Sequence, residues 1–113
     1  LGTYSSSSTD TSMAITRQGT WKGVWCVTAD MPAAVYRELA KDAGVHIYNN
    51  STDTFGANKS YVFIHPNSDG SRTIAFPRAV ILYDALSEQL LGTNITSYTR
   101  SYLLGETMIY RYE

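Results

Sequence analysis

The chain has 113 residues, with nine lysines and arginines, ten acidic residues and a formal net charge of −1. This length fits one domain, or one small domain with part of a neighbour, and 43% apolar with 17% charged residues is ordinary for a folded globular protein. The basic residues are too scattered to neutralise a phosphate backbone, and no run of eighteen apolar residues exists, so we expect neither nucleic-acid binding nor a membrane span.

The first twelve residues are rich in serine and threonine and have few apolar side chains to bury. Residues 1–12 are therefore predicted to form a flexible lead-in. The chain starts at Leu1 rather than methionine and shows no signal-peptide pattern, so we expect Leu1 to be a cut point and the protein to be soluble.

Two short strands are predicted next, over residues 13–16 and 21–28, with a turn at Gln18-Gly19. The second strand contains Cys26, the single cysteine of the sequence. One cysteine cannot form an internal disulfide or a thiolate zinc cluster, and this one stands in an apolar run. We interpret Cys26 as a small buried hydrophobe rather than a reactive thiol.

A helix is predicted over residues 32–43. Asp30 can cap its first amides, and Pro32 suits the first turn because that position needs no N–H donor. Val35, Leu39 and Ala43 recur every fourth residue and form a narrow apolar stripe. Gly44 follows as a left-handed stop.

Residues 45–48 are predicted to form a strand directly after this helix. A strand, a helix and a second strand fit one βαβ crossover, so residues 13–44 are predicted to be a strand–helix unit. Residues 49–57 are predicted to be a loop because they are dense in Asn, Ser, Thr, Asp and Gly.

The rest of the chain alternates short strands and turns. The strands are predicted over residues 60–65, 73–76, 80–83, 90–91, 95–103 and 107–112. Short strands at intervals of about ten residues are typical of a sandwich. The predicted fold class is α+β, mainly β: a small antiparallel β-sandwich over residues 45–113 with one α-helix packed against it.

Motifs for catalysis or metal binding are missing from the sequence. His46 and His65 lack the spacing of a metal site, which would need carboxylates such as Asp53 or Asp69 to be supplied by the fold. There is no GxSxG elbow and no phosphate-binding glycine loop. Three acidic residues in or beside predicted turns are interpreted as solvated side chains: Asp84, Glu88 and Glu106. We predict no catalytic residue, no metal and no cofactor.

A group of aromatic residues is the best candidate for ligand binding. Alternation along residues 95–103 places Tyr98, Arg100 and Tyr102 on one face of a strand. Together with Trp21 they could stack on a sugar ring, because tyrosine offers a rigid apolar surface with a polar edge. The competing interpretation is cross-strand aromatic packing that stabilises the closing hairpin.

Several segments together resemble a known pattern. They are residues 39–48, 57–65, 72–77, 80–84 and 104–111. They resemble the C-terminal region of β-galactosidase-type glycoside hydrolases of family 42 and their uncharacterised relatives. The resemblance implies that residues 21–44 end an amidotransferase-like α/β domain and that residues 45–113 form a terminal β-sandwich. It carries over no catalytic residue, because the catalytic barrel of those enzymes has no counterpart in this chain.

The sequence therefore predicts a non-catalytic structural or assembly module of a carbohydrate-active protein, or a stand-alone relative of one. We expect a homo-oligomer, most simply a dimer, formed through an unpaired sheet edge at residues 21–27. The alternative from a different class is a carbohydrate-binding module that uses its surface tyrosines.

Overall fold

The computed structural model describes residues 2–3, 11–27 and 30–113, so most of the predicted lead-in lies outside the described residues. The chain divides into two compact units, residues 1–36 and residues 37–113. Antiparallel strands dominate both units. The predicted class, α+β and mainly β, is therefore confirmed.

The first unit contains a three-stranded antiparallel sheet in the order β1–β2–β3. Its strands are β1 (Gly2–Thr3), β2 (Thr11–Gln18) and β3 (Trp21–Cys26). A two-residue turn joins β2 to β3, and Gly19 in that turn has φ +57°, a conformation that glycine adopts without steric cost. The two predicted strands are thus present as a hairpin, and β3 is an edge strand of its sheet.

The predicted helix is confirmed as α1 (Ala33–Asp42). Its C-terminus is a Schellman motif: the Gly44 amide donates to Lys41 O, and the Val45 amide donates to Ala40 O at 2.9 Å. Gly44 has φ +77°, as this motif requires. None of the helical residues is buried, so the apolar stripe of α1 does not contribute to a core.

The predicted βαβ crossover is wrong. β3 pairs antiparallel with β2, and residues 45–48 form no strand, so there is no parallel pair for a helix to connect. Val45 is 57% exposed, and this segment reaches the sheet through one backbone bond, from Ala75 N to Tyr48 O at 2.7 Å. Tyr48 is the residue of this segment that packs against the core.

The second unit contains a five-stranded sheet in which every neighbouring pair is antiparallel. The strand order is β4–β5–β8–β6–β7. The strands are β4 (Thr54–Ala57), β5 (Tyr61–His65), β6 (Gly70–Asp84), β7 (Leu90–Tyr102) and β8 (Met108–Tyr112). β4 falls in the predicted loop, and β6 and β7 each join two predicted short strands into one long strand.

β6 continues through Pro77 because a β-bulge accommodates the proline. Ala75 pairs with Ser97 and Val80 pairs with Ile95, so residues 76–79 of β6 lie opposite Thr96 alone. A bulge tolerates a residue that has no N–H to donate, and it bends the strand that contains it. The predicted break at Pro77 is therefore a bend within a strand.

The bend in β6 folds the sheet over itself. Gly70 and Asp84, the ends of β6, lie opposite Tyr102 and Tyr110 respectively. Fully extended, the fifteen residues of β6 would span about 46 Å. Yet the hydroxyl oxygens of Tyr102 and Tyr110 are only 2.7 Å apart. The two halves of β6 must therefore approach each other, which makes the second unit a sandwich-like, folded sheet.

The folded sheet encloses one aliphatic and aromatic core. Buried and exposed residues alternate along β5, where Val62 and Ile64 point inward. Both halves of β6 contribute to the same cluster. Its buried members are Val62, Ile64, Ile74, Phe76, Val80, Leu82, Tyr102, Tyr110 and Tyr112.

Truncation of Ile64 should distinguish the inner face of the sheet from its outer face. Ile64 is fully buried, so Ile64→Ala should lower the free energy of unfolding by about 3 kcal/mol in urea denaturation followed by circular dichroism. Ile109 lies on neighbouring β8 and is 36% exposed, so the matched control Ile109→Ala should cost less than about 1 kcal/mol. Equal losses would contradict the inner and outer faces described for β5 and β8.

Candidate functional site

The face of β7 that carries Tyr98, Arg100 and Tyr102 is turned toward the interior. Tyr102 is 2% exposed, and its hydroxyl is hydrogen-bonded to that of Tyr110. The ring of Tyr98 meets the ring of Tyr110 edge-on, with centroids 5.6 Å apart. The guanidinium of Arg100 lies 4.7 Å from the Tyr102 ring centroid and is paired with Glu106 at 2.6 Å. β6 lies between β7 and β8, which are not paired with each other, so the predicted closing hairpin is wrong. The aromatic rings of these two strands instead pack against one another within the core.

Trp21, the fourth predicted ligand-binding residue, lies in the first unit. It is 57% exposed, at the start of β3. Its ring lies beside Gly23, where an added Cβ would come within 3.0 Å of ring carbon Cζ3. Trp21 therefore belongs to a surface of the first unit, whereas Tyr98, Arg100 and Tyr102 lie together in the second.

The buried tyrosines are held in their neutral form. Burial raises the pKa of Tyr102 and of Tyr110 above the ordinary value, and each phenol still has a hydrogen-bond partner. Burial also raises the pKa of Tyr112 to about 12. The Tyr112 hydroxyl donates to Asn58 O and contacts the Tyr48 hydroxyl. These phenols act as packing groups whose polar ends are satisfied.

Both histidines have local partners. His46 Nε2 lies 2.8 Å from Ala75 O, and the His46 ring meets the Tyr48 ring edge-on. His65 Nδ1 lies 2.7 Å from the Thr107 hydroxyl. Within the part of the chain that the structure describes, no three His, Cys, Asp or Glu side chains are grouped as a metal site would require.

The acidic residues near turns have structural partners. Asp84 Oδ1 accepts the amides of Leu86 and Ser87 at 2.9 Å, and these bonds lower the pKa of Asp84. Glu106 accepts the Leu103 amide as well as Arg100. Each carboxylate thus holds a loop in place.

Asp53 and Arg72 form a hydrogen-bonded ion pair. Arg72 Nε donates to Asp53 Oδ2 at 2.6 Å, and the Asp53 side chain is fully buried. The bond from Arg72 is the main cause that lowers the pKa of Asp53 to about 2; Ser51 and the Asn67 amide add to it. The sequence suggests Asp53 only as a carboxylate that the fold would have to supply to a metal site. The available signal was its place in a run of turn-forming residues after Asn49.

The surface most open to a partner in the first unit is the β3 edge surface, defined as Trp21, Val24, Trp25, Val27 and the neighbouring Ile15. Trp21 and Trp25 are 57% and 55% exposed. Ile15 pairs with Val24, and both are more than 40% exposed. Because side chains alternate along a strand, Trp21 and Trp25 lie on one face of the sheet and Ile15 and Val24 on the other. Exposed apolar side chains therefore flank this edge on both faces, as is typical of an interaction surface.

A second apolar surface lies on the outer face of β5 and β8. Tyr61, Phe63 and Ile109 are exposed there and border a groove of about 400 Å³. The Phe63 ring lies across Gly56 on the edge strand β4, in space that a side chain at residue 56 would need. The ring thereby covers part of this face itself.

Comparison of the chain with protein-family models, curated proteins and solved structures finds no match. Among the described residues, the helix α1 is ten residues long, too short to cross a membrane.

The buried Asp53 carboxylate should make the second unit acid-sensitive. Its pKa in the folded chain lies below the ordinary value, so its stabilisation is present above about pH 4 and is lost as the pH falls toward 2. Asp53→Asn should lower the free energy of unfolding by about 2 kcal/mol at pH 7 and flatten its pH dependence below pH 4.

Urea denaturation at a series of pH values measures this effect. Asp30→Asn removes the same charge at an exposed position and serves as the control. An Asp53→Asn chain that is as stable as the unmodified chain at pH 7 would show that the ion pair with Arg72 contributes little.

Proposed function

We propose that this chain is a non-catalytic assembly module whose role is to associate with a second copy of itself through the β3 edge surface. The exposed edge strand with two exposed tryptophans is the observation that carries the proposal. The ionisable side chains described above are engaged in pairing, capping and turn formation, which supports a structural role. The resemblance to the terminal region of glycoside hydrolases suggests that the context is a carbohydrate-active protein.

The edges of the two sheets differ in how well they are protected. Natural edge strands are protected from pairing by shortness, bulges, proline or charge. β4 has only four residues, and β7 is interrupted by bulges beside Gly92 and Asn94, where Asn94 has φ +56°. β3 is regularly paired from Trp21 to Cys26 and has one charged residue, Lys22. Among these three edges, β3 is the least protected.

A second copy is the partner that best fits this edge. Two identical edge strands can pair antiparallel about a two-fold axis, so the same surface meets itself. Such pairing would join the two three-stranded sheets into one sheet of six strands and would place the exposed tryptophans of both copies on the same face of it. The net charge of −1 opposes such an approach only weakly.

Light scattering coupled to size exclusion tests the proposal. We expect a mass of twice the 12.5 kDa of one chain at micromolar concentration. Trp25→Lys should shift the mass to that of one chain, because a lysine on an edge strand opposes pairing and the two copies would bring like charges together. A monomeric mass for the unmodified chain would contradict the proposal.

Two lysine substitutions elsewhere serve as controls. Leu104→Lys alters a side chain that is 67% exposed in a loop of the second unit and should leave the mass unchanged. Phe63→Lys tests the outer face of β5 and β8. Loss of the dimer with Phe63→Lys but not with Trp25→Lys would assign the interface to that other face and overturn the proposal.

A further inference from the structure

Both tryptophans of the chain lie on one face of the first unit's sheet. Each ring is more than half exposed. Pairing of two β3 edges would join backbones within the sheet and leave the rings on its surface, so a ligand could still reach them. The tryptophan face is defined as these two residues, the glycine between them and their partners on β2: Trp21, Gly23, Trp25, Ala14, Thr16 and Gln18.

Gly23 stands between the two rings in the middle of a regularly paired strand. Its partner is Thr16, and the register does not shift from Trp21 to Cys26. A glycine inside a strand weakens it and commonly marks a place where another group approaches the backbone closely. Here a Cβ at residue 23 would come within 3.0 Å of Trp21 Cζ3. The glycine therefore lets the Trp21 ring lie over the sheet, on the side toward Trp25.

The tryptophan face is uncharged. Its six residues include no ionisable side chain, because Arg17 and Lys22 lie opposite each other on the other face of the hairpin. Nucleic acids and anionic lipid surfaces are bound largely through basic side chains, so the charge pattern disfavours both. The polar groups beside the rings are the exposed, neutral side chains of Thr16 and Gln18. Such a surface favours an uncharged ligand that has both apolar area and hydroxyl groups.

We propose that the tryptophan face binds a neutral, extended polysaccharide whose sugar rings stack on Trp21 and Trp25. A pyranose has C–H groups on its faces and hydroxyls around its rim, so it can pack on an indole ring while its hydroxyls bond to Thr16 and Gln18. The two tryptophans are four residues apart on an extended strand, which separates their Cα atoms by about 14 Å. A row of two aromatic surfaces suits a chain of linked sugars better than a single sugar. One copy has the complete face, so this proposal is independent of self-association.

Tryptophan fluorescence of the full chain tests the proposal directly, because Trp21 and Trp25 are the only tryptophans in the sequence. The neutral probes are cellohexaose, xylohexaose, mannohexaose and N-acetylchitohexaose. Polygalacturonate, polyadenylate and phosphatidylcholine vesicles are the probes for other occupants. We expect at least one neutral hexasaccharide to shift the emission to shorter wavelength and to saturate, with a Kd of about 0.1–1 mM, as for a ligand with few contacts.

Variants on the two faces of β3 assign the binding surface. Trp21→Ala and Trp25→Ala should each weaken binding at least tenfold, as followed by the remaining tryptophan. Gly23→Ala keeps both rings but displaces that of Trp21, so it should also weaken binding. Val24→Ala removes an exposed apolar side chain from the opposite face and should bind as the unmodified chain does.

Three results would overturn the proposal. The first is that no hexasaccharide shifts the emission of the unmodified chain, and the second is that only polygalacturonate, polyadenylate or vesicles shift it. Both come from the unmodified chain, so they do not depend on whether a variant folds. The third is that Val24→Ala weakens binding as much as Trp25→Ala. A chain that is monomeric by light scattering and binds a hexasaccharide would support this proposal while contradicting self-association.

Discussion

The second unit depends on the bend in β6. Residues 76–79 bulge opposite Thr96, and the strand on either side turns its apolar residues toward one core. Without the bend, Ile74 and Leu82 would lie on a long ribbon too narrow to bury them. Antiparallel ribbons of two strands are only marginally stable, whereas a folded sheet of five strands can enclose a core. The hydroxyl contact between Tyr102 and Tyr110 closes the folded sheet where the ends of β6 meet.

The Asp53–Arg72 pair lies beside the first half of β6. Arg72 lies on the first half of β6, and the loop at residues 49–53 crosses it. Arg37 on α1 also donates to Ser51 O at 2.6 Å, so the loop is held from both sides. Within this loop the Asn49 side-chain oxygen accepts the Ser51 amide. The ion pair between Asp53 and Arg72 therefore has two effects: it holds the loop in position, and it neutralises the charge of Arg72.

Much of this arrangement follows from local patterns in the sequence. Alternation predicts β5, because Val62 and Ile64 face the core while Tyr61 and Phe63 face outward. The Gly44 stop is a local signal and is found, and the helix begins at Ala33, directly after Pro32. The strand predicted at residues 45–48 is wrong. A short apolar run has the pattern of a strand, and the local sequence does not show whether a partner strand is present. The break predicted at Pro77 is wrong for a similar reason. Whether a bulge can accommodate the proline depends on the opposing strand, which the local sequence does not show.

The candidate functional residues are harder to predict than the fold. Period-two alternation places Tyr98 and Tyr102 on one face of β7, but it cannot say whether that face meets solvent or core. Burial decides this, and burial depends on the bend. Asp53 comes from a loop with no periodicity, and its partner Arg72 lies on a distant strand. Such contacts are set by the tertiary fold alone.

Nuclear Overhauser effects between the ring protons of Tyr102 and Tyr110 test the central claim most directly. The fold-back of β6 predicts strong cross-peaks between these rings, together with contacts from Ile74 and Leu82 to the same aromatic cluster. Cross-strand signals that run continuously along β6 and β7, with none between Tyr102 and Tyr110, would describe an extended hairpin. That result would contradict the folded sheet and the core it encloses.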